Sequence, residues 1–517
     1  MIKRKSILLS LLVPFLLNLV FCVNFITAAQ NDISKGVDID RSNIPKNILF
    51  GSFMGGRSHV KPMLDIAEIL AERSYNVILL ASGNNVLSSE YPAVKQISLG
   101  PSTGMKNLGK DGIDEEQDYN AMKSLWEIGV ISYKRTYEKY KSVVEDYNID
   151  LIFCDLLINE ACVDVANTLK KPVVVLVSAL QIVDPKPYKF DPILGCNISL
   201  ENESIWERFR CNFIQVFRYV YSLSDFTNQL NEMRKQMNVD LGQLTLGGFK
   251  ASLVLIDTFF GFELPQTLPP YIQEIGPILS EEYPPLTPEL SDFIMARTRF
   301  ISINKKIIDG VVWALVETPK DYFYPTLKLS DGTQIQASQI LNNEHPHIHI
   351  AEFVPQFAIL NHTNTKLFFN HGGAGRAHES LYTVSADVAS LLKLTTLDVN
   401  NILNKMDLLL KEENVKNISE RLKVLAKINS KRKYRAADLI EYILHSSSFV
   451  EYVDDDFLKE WVPAETRMGF IRAYNLDIHA ILIGIALSII GIIVVKLIKF
   501  IGFIISPSSD DQKSKKD

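Results

Sequence analysis

The chain has 517 residues, 47% of them hydrophobic and 22% charged. Those figures exclude extended disorder as the main state and suggest two to four domains. Its 25 glycines and 22 prolines are too few for a collagenous or low-complexity chain. A formal net charge of −6 leaves no broad basic field for a nucleic-acid backbone, so no nucleic-acid partner is expected.

Residues 1–29 read as a secretory signal peptide. Lys3, Arg4 and Lys5 precede an apolar run from Ile7 to Phe21, and small residues follow at Thr27, Ala28 and Ala29. Cleavage is expected near Ala29; an uncleaved N-terminal anchor is the alternative.

From Asn47 the pattern alternates between strand and helix. Asn47–Phe53, Asn76–Ala81, Leu151–Cys154, Pro172–Val177 and Ser252–Ile256 read as buried strands. Lys61–Arg73, Gln117–Tyr147 and Asn159–Leu169 read as helices. Such alternation predicts a parallel, doubly wound α/β sheet. A proline-rich stretch, Ile275–Pro288, has the texture of an interdomain linker. Beyond it the strands Gly310–Leu315, His347–Ala351 and Lys366–Phe369 and the helical run Val399–Ile440 suggest a second Rossmann-like half. The predicted domains are 30–279 and 280–476, facing each other across a cleft.

The C-terminal end differs in kind. Ala480–Val495 carries no charge, and apolarity resumes around Lys496 and Lys499 up to Ile505, so 480–505 reads as a transmembrane helix. The tail 506–517 holds Lys513, Lys515 and Lys516, which makes that side the cytoplasmic one. The bulk of the chain is then lumenal, as in a type I membrane protein. The terminal KSKKD resembles the dilysine retrieval signal of endoplasmic-reticulum residents. Of five cysteines, Cys196 and Cys211 could pair in an oxidising lumen, and sequons stand at Asn197, Asn202, Asn361 and Asn417.

Candidate chemistry lies where strands end. The first strand-to-helix turn, Gly51 to His59 (GSFMGGRSH), lacks the dinucleotide GxGxxG spacing but puts a histidine where open α/β sheets bind ligands. Asp155 closes another strand. It could hydrogen-bond His59 if the two strands are neighbours, making the imidazole a general base, or it could cap the next helix. In the second half, KLFFNHGGAGRAHES (Lys366–Ser380) is a strand, a glycine turn and a helix start, a geometry whose N–H groups suit diphosphate.

FVPQFAILNH followed by FFNHGGAGRAHESLY resembles the signature of the UDP-glycosyltransferases, especially the membrane-anchored UDP-glucuronosyltransferase-like branch. GGRSHVKPM, IGPIL and YNLDI are similar to the same family, so the likeness runs from about Lys46 into the anchor. The resemblance implies a glycosyltransferase type B fold with the acceptor in the first half and the UDP-sugar in the second. It implies an inverting displacement on a small lipophilic acceptor, with His59 as base and Asp155 as its orienting partner. On the donor side it implies Phe353 against uracil and Gln356 at the uridine or ribose. His371, Gly372, Gly373, Gly375 and Arg376 would lie at the diphosphate, and Glu379 at the ribose hydroxyls. No metal or other cofactor is expected, and a homo-oligomer is left open.

The sequence departs from the family at two junctions. After Leu381-Tyr382-Thr383 the family's Gly-x-Pro turn, strand and sugar-binding Asp-Gln pair are replaced by Val384-Ser-Ala-Asp387. Arg299–Ile303 likewise runs straight into Asn304-Lys-Lys-Ile307, without the Gly-Ser turn and most of the next helix. A non-catalytic family member and an incomplete gene prediction therefore stand beside the enzyme reading. Transcript sequencing across both junctions separates them.

Overall fold

The computed structural model describes residues 36–83, 90–101, 119–178, 204–240, 251–263, 268–295, 354–365, 374–383, 411–450 and 468–505, with short pieces and single positions between them. The chain divides into a large unit reaching residue 454 and a small one made of 269–271 and 455–517.

The large unit is built on a seven-stranded sheet. In chain order its parts are β1 (Asn47–Ser52), α1 (Arg57–Glu72), β2 (Asn76–Ala81), β3 (Lys95–Ser98) and α2 (Tyr119–Asp146). Then come β4 (Leu151–Asp155), α3 (Glu160–Thr168), β5 (Val173–Val177), α4 (Ser224–Gln236), β6 (Leu253–Ile256) and β7 (Ile272–Glu274). The strand order is β3-β2-β1-β4-β5-β6-β7, parallel throughout. The α/β, doubly wound expectation holds for this half.

The central strands are unbroken aliphatic runs because both faces are covered by helices. β4 and β5 are buried at every position, and Phe50 of β1 stacks on Phe153 of β4 with ring centroids 4.5 Å apart. Helix α1 buries Val60, Met63, Leu64, Ala67 and Leu70, a stripe at i, i+3, i+4, i+7 and i+10. It begins at Arg57, four residues before the expected Lys61, so His59 lies in its first turn.

Two strands escaped the sequence reading. β3 is short and half polar, and β7 follows a proline pair, so neither carries an aliphatic run. The 275–287 stretch has no helix or strand, as its prolines suggest, and a helix follows at Pro288–Met295.

Later in the large unit come α5 (Ala374–Thr383), α6 (Glu413–Asn429) and α7 (Arg432–Ser447). Helix α7 returns to the end of α1. There Arg73 bonds Asp438 at 2.8 Å and Glu441 at 2.7 Å, and Arg41 bonds Glu441 at 2.5 Å. Lys433 donates to the Leu279 carbonyl at 2.5 Å, which ties the proline-rich stretch to the same helix.

The expected strands Gly310–Leu315, His347–Ala351 and Lys366–Phe369 fall outside the described residues apart from single positions, as do both junctions and the signal segment. In the small unit, α8 (Leu476–Ile505) is a helix long and apolar enough to cross a membrane, starting four residues before the expected span.

Disulfides join Cys196 to Cys211, as expected, and Cys154 to Cys162, which the sequence reading did not pair. The second one links β4 to α3 one residue before Asp155. The sequon residues Asn361 and Asn417 are exposed.

Candidate active site

The strand order reverses between β1 and β4, because the chain winds one way from β1 to β3 and the other way from β4 onward. A crevice opens outside the carboxyl ends at such a switch point. Direct pairing of β1 with β4, Gly51 opposite Cys154, brings the two strand ends into that crevice side by side.

The chain leaves β1 through a turn that only glycine fits. Gly55 has φ +62°, and a Cβ there would collide with the Ser82 backbone. That turn points α1 back over the strand ends and sets His59 beside Asp155. His59 Nδ1 lies 3.1 Å from Asp155 Oδ2, with the imidazole 27% exposed. Ser52, the last residue of β1, donates its hydroxyl to the same carboxylate oxygen at 2.9 Å. The Leu157 amide approaches the other oxygen at 3.4 Å.

Buried Asn159 then locks the two strand ends together. Its side-chain amide donates to the Gly51 carbonyl and to the Asp155 carbonyl, both at 3.0 Å. Asn159 occupies the N-cap position of α3, so Asp155 does not cap that helix and its carboxylate is free to face the histidine.

Burial pulls the His59 pKa down, but the hydrogen bond and charge of Asp155 outweigh it, and the net shift is upward. With Nδ1–H directed at Asp155, the neutral ring carries its lone pair on Nε2. That is the state of a general base oriented by a carboxylate.

Gln356 and Glu379 also come together. Gln356 Nε2 donates to Glu379 Oε2 at 2.7 Å. Burial raises the Glu379 pKa, while Lys61, Gln356 and Arg57 act against that rise. Lys61 and Arg57 belong to α1, the helix that carries His59. The contact is continuous through aromatic rings: Lys61 lies 5.4 Å from the Tyr283 ring centroid, and Tyr283 stacks on Phe357 at 3.5 Å. Lys61 is itself held by Asp65 at 3.0 Å and by Ser280.

Gly375 lies in the first turn of α5, with open space where a Cβ would stand. Arg376 is on the same helix, but its side chain lies outside the described residues, as do Phe353, His371, Gly372 and Gly373. Next to Glu379, His378 is 1% exposed, and its ring lies against Phe259 and Phe262, with Asp257 Oδ1 3.5 Å from Nδ1. Among the described residues no cluster of histidine, cysteine or acidic side chains is arranged to hold a metal ion.

Sequence reasoning missed Ser52, Asn159 and the Cys154–Cys162 disulfide. Asn159 had a readable signal, an asparagine directly before an apolar helical run, which marks an N-cap. Ser52 had none.

The family profile for "UDP-glucoronosyl and UDP-glucosyl transferase" matches residues 201–385. That span contains Gln356 and Glu379 and ends at the second junction noted above. UDP-glycosyltransferase 1 of Phaeomoniella chlamydospora is 29% identical over 393 residues, covering 68% of this chain and 81% of its own. Human UDP-glucuronosyltransferase 3A1 is 22% identical, covering 65% of this chain and 68% of its own. Among solved structures, the calicheamicin glycosyltransferase CalG4 aligns with a TM-score of 0.49 at 15% identity, over 77% of this chain and 98% of its own. Over these stretches the chain is similar to UDP-glycosyltransferases.

Proposed function

We propose that the chain catalyses an inverting transfer of a hexosyl group from a UDP-sugar to a hydroxyl of a small lipophilic acceptor. The observation that carries this reading is the His59–Asp155 pair, 3.1 Å apart at the sheet's switch point. His59 Nε2 takes the acceptor's hydroxyl proton as the oxygen attacks the anomeric carbon. The bond from that carbon to the β-phosphate oxygen breaks, and UDP leaves with the electron pair. Asp155 holds the ring in the required tautomer and stabilises the imidazolium that forms.

On the donor side Gln356 and Glu379 take the uridine ribose, with Phe353 against uracil. His371, Gly372, Gly373, Gly375 and Arg376 take the diphosphate, whose charge the helix start offsets without a metal. The two halves form a glycosyltransferase type B cleft. The large unit lies in the endoplasmic-reticulum lumen after removal of the signal segment, and α8 anchors it; glycosylation at Asn361 or Asn417 would report that orientation.

A second reading is favoured by one observation. The sequence after Thr383 lacks the Asp-Gln pair that would hold the sugar hydroxyls, so the chain could bind UDP and acceptor without transferring. Detergent-solubilised full chain, titrated with UDP in a calorimeter and assayed with UDP-glucose, UDP-glucuronic acid and UDP-N-acetylglucosamine against phenolic and steroid acceptors, decides between them. Turnover that disappears in His59→Ala supports the transferase. UDP binding without turnover supports the second reading, and no UDP affinity defeats the catalytic one.

A further inference from the structure

The segment Ile205–Ser222 is helical throughout, as Ile205–Phe209, a π-helical turn at Arg210–Ile214, and Gln215–Ser222. Its amphipathic pattern is inside out. The side facing the protein is pinned by Cys211, which is 0% exposed and bonded to Cys196. The aromatic side faces outward: Trp206 is 59% exposed, Phe213 64%, Phe217 72% and Tyr221 72%.

These positions recur at helical spacing. Phe209 completes a line of rings, Trp206 to Phe209 at 6.0 Å and Phe209 to Phe213 at 5.4 Å, with Phe217 to Tyr221 at 6.4 Å one turn on. A contiguous apolar stripe of this kind on a soluble surface marks an interaction site.

We propose that this face rests in the interfacial layer of a lipid bilayer, a second membrane contact in addition to α8. The composition fits that occupant. Trp and Tyr prefer the headgroup level, and with Arg210 paired to Glu207 at 2.8 Å the stretch keeps the positive charges of Arg208 and Arg218 in excess. Such a balance complements anionic lipid headgroups. In a two-fold contact between copies of the chain the same arginines would face each other and repel. The same chain carries α8, which starts at Leu476 after α7 ends at Ser447, and this covalent tether raises the effective concentration of bilayer around the segment. The inference rests on α8 crossing the bilayer and is independent of the transfer reaction.

The test uses the full chain in phosphatidylcholine–phosphatidylserine liposomes, with plain or chain-brominated lipid. Bromine quenches only nearby indoles, and the sequence has four tryptophans, so Trp206→Phe isolates the signal of interest. The expected result is extra quenching by brominated lipid in the wild type that is missing from Trp206→Phe. In Phe213→Glu/Phe217→Glu, with an unchanged circular dichroism spectrum, that same component disappears. Equal quenching in the wild type and Trp206→Phe overturns the proposal. So does quenching that survives the double glutamate variant, or an unquenched Trp206 with concentration-dependent cross-linking between copies. Failure of the chain to float with the liposomes removes the anchor on which the proposal rests and overturns it as well.

Discussion

Two side-chain pairs occupy the large unit, and they are built in opposite ways. His59 and Asp155 are placed by the backbone, at the ends of adjacent strands, with Ser52 and Asn159 fixing the carboxylate and both strand ends. Gln356 and Glu379 are placed by side-chain contact with each other, from the first residue of the helix Gln356–Leu360 and the middle of α5, which no described strand ties together. The first pair joins a titratable ring to a carboxylate and is suited to moving a proton. The second joins a half-desolvated carboxylate to a neutral amide and is suited to holding hydroxyl groups. On the function proposed above, rigid support falls to the pair that moves a proton, where a small misplacement is costly, and adaptable contacts to the pair that binds.

The sharpest way to break this contrast is His59→Ala. Loss of a positioned general base is expected to lower kcat by about 10²–10⁴-fold while UDP affinity stays the same. An equal loss of UDP affinity would show that the two pairs act as one site.

Asp155→Asn is expected to cost less and to change the pH profile. The base works only when His59 is neutral, so activity falls as pH drops through its raised pKa. Removing the Asp155 charge removes what raises that pKa, so the acid limb of kcat/KM should move to lower pH. The stability contribution runs the other way. A histidine whose folded-state pKa is raised stabilises the fold in acid and loses that effect as pH rises through the folded value. The variant's urea midpoint should therefore fall more at pH 5 than at pH 8.

Glu379→Gln should leave the acceptor KM unchanged and weaken UDP binding by roughly 10- to 150-fold, the cost of a charge-assisted hydrogen bond of about 1.5–3 kcal/mol. Isothermal titration with UDP reads it. The smallest expected effect is that of Gln356→Ala. It deprives Glu379 of a neutral donor and should weaken UDP binding by only a fewfold, about 0.5–1.5 kcal/mol.

Most of the first half was legible because its strands are fully buried aliphatic runs between helices, a pattern that local periodicity captures. His59 was legible for a related reason: it follows a glycine turn at the end of such a run. Residues whose role depends on a distant neighbour were not. Ser52 is an ordinary strand end until Asp155 arrives from β4, and Cys154 is an apolar strand position until Cys162 faces it from α3. Strands β3 and β7 were hidden because edge positions of a sheet bury less and so need less aliphatic sequence.

The sequence alone determined the buried strands and helices of the first half, the family signature and the apolar C-terminal helix, since each depends on residues close together in the chain. Tertiary structure alone decided which strand lies beside β1. That choice converts His59 and Asp155 from two polar residues at strand ends into a hydrogen-bonded pair. The physical reason is that sheet order follows from crossovers and helix packing over the whole domain, which no local pattern encodes. The outward aromatic face of Ile205–Ser222 was likewise a tertiary outcome: the buried Cys211, bonded to Cys196, fixes which side of the segment faces the protein.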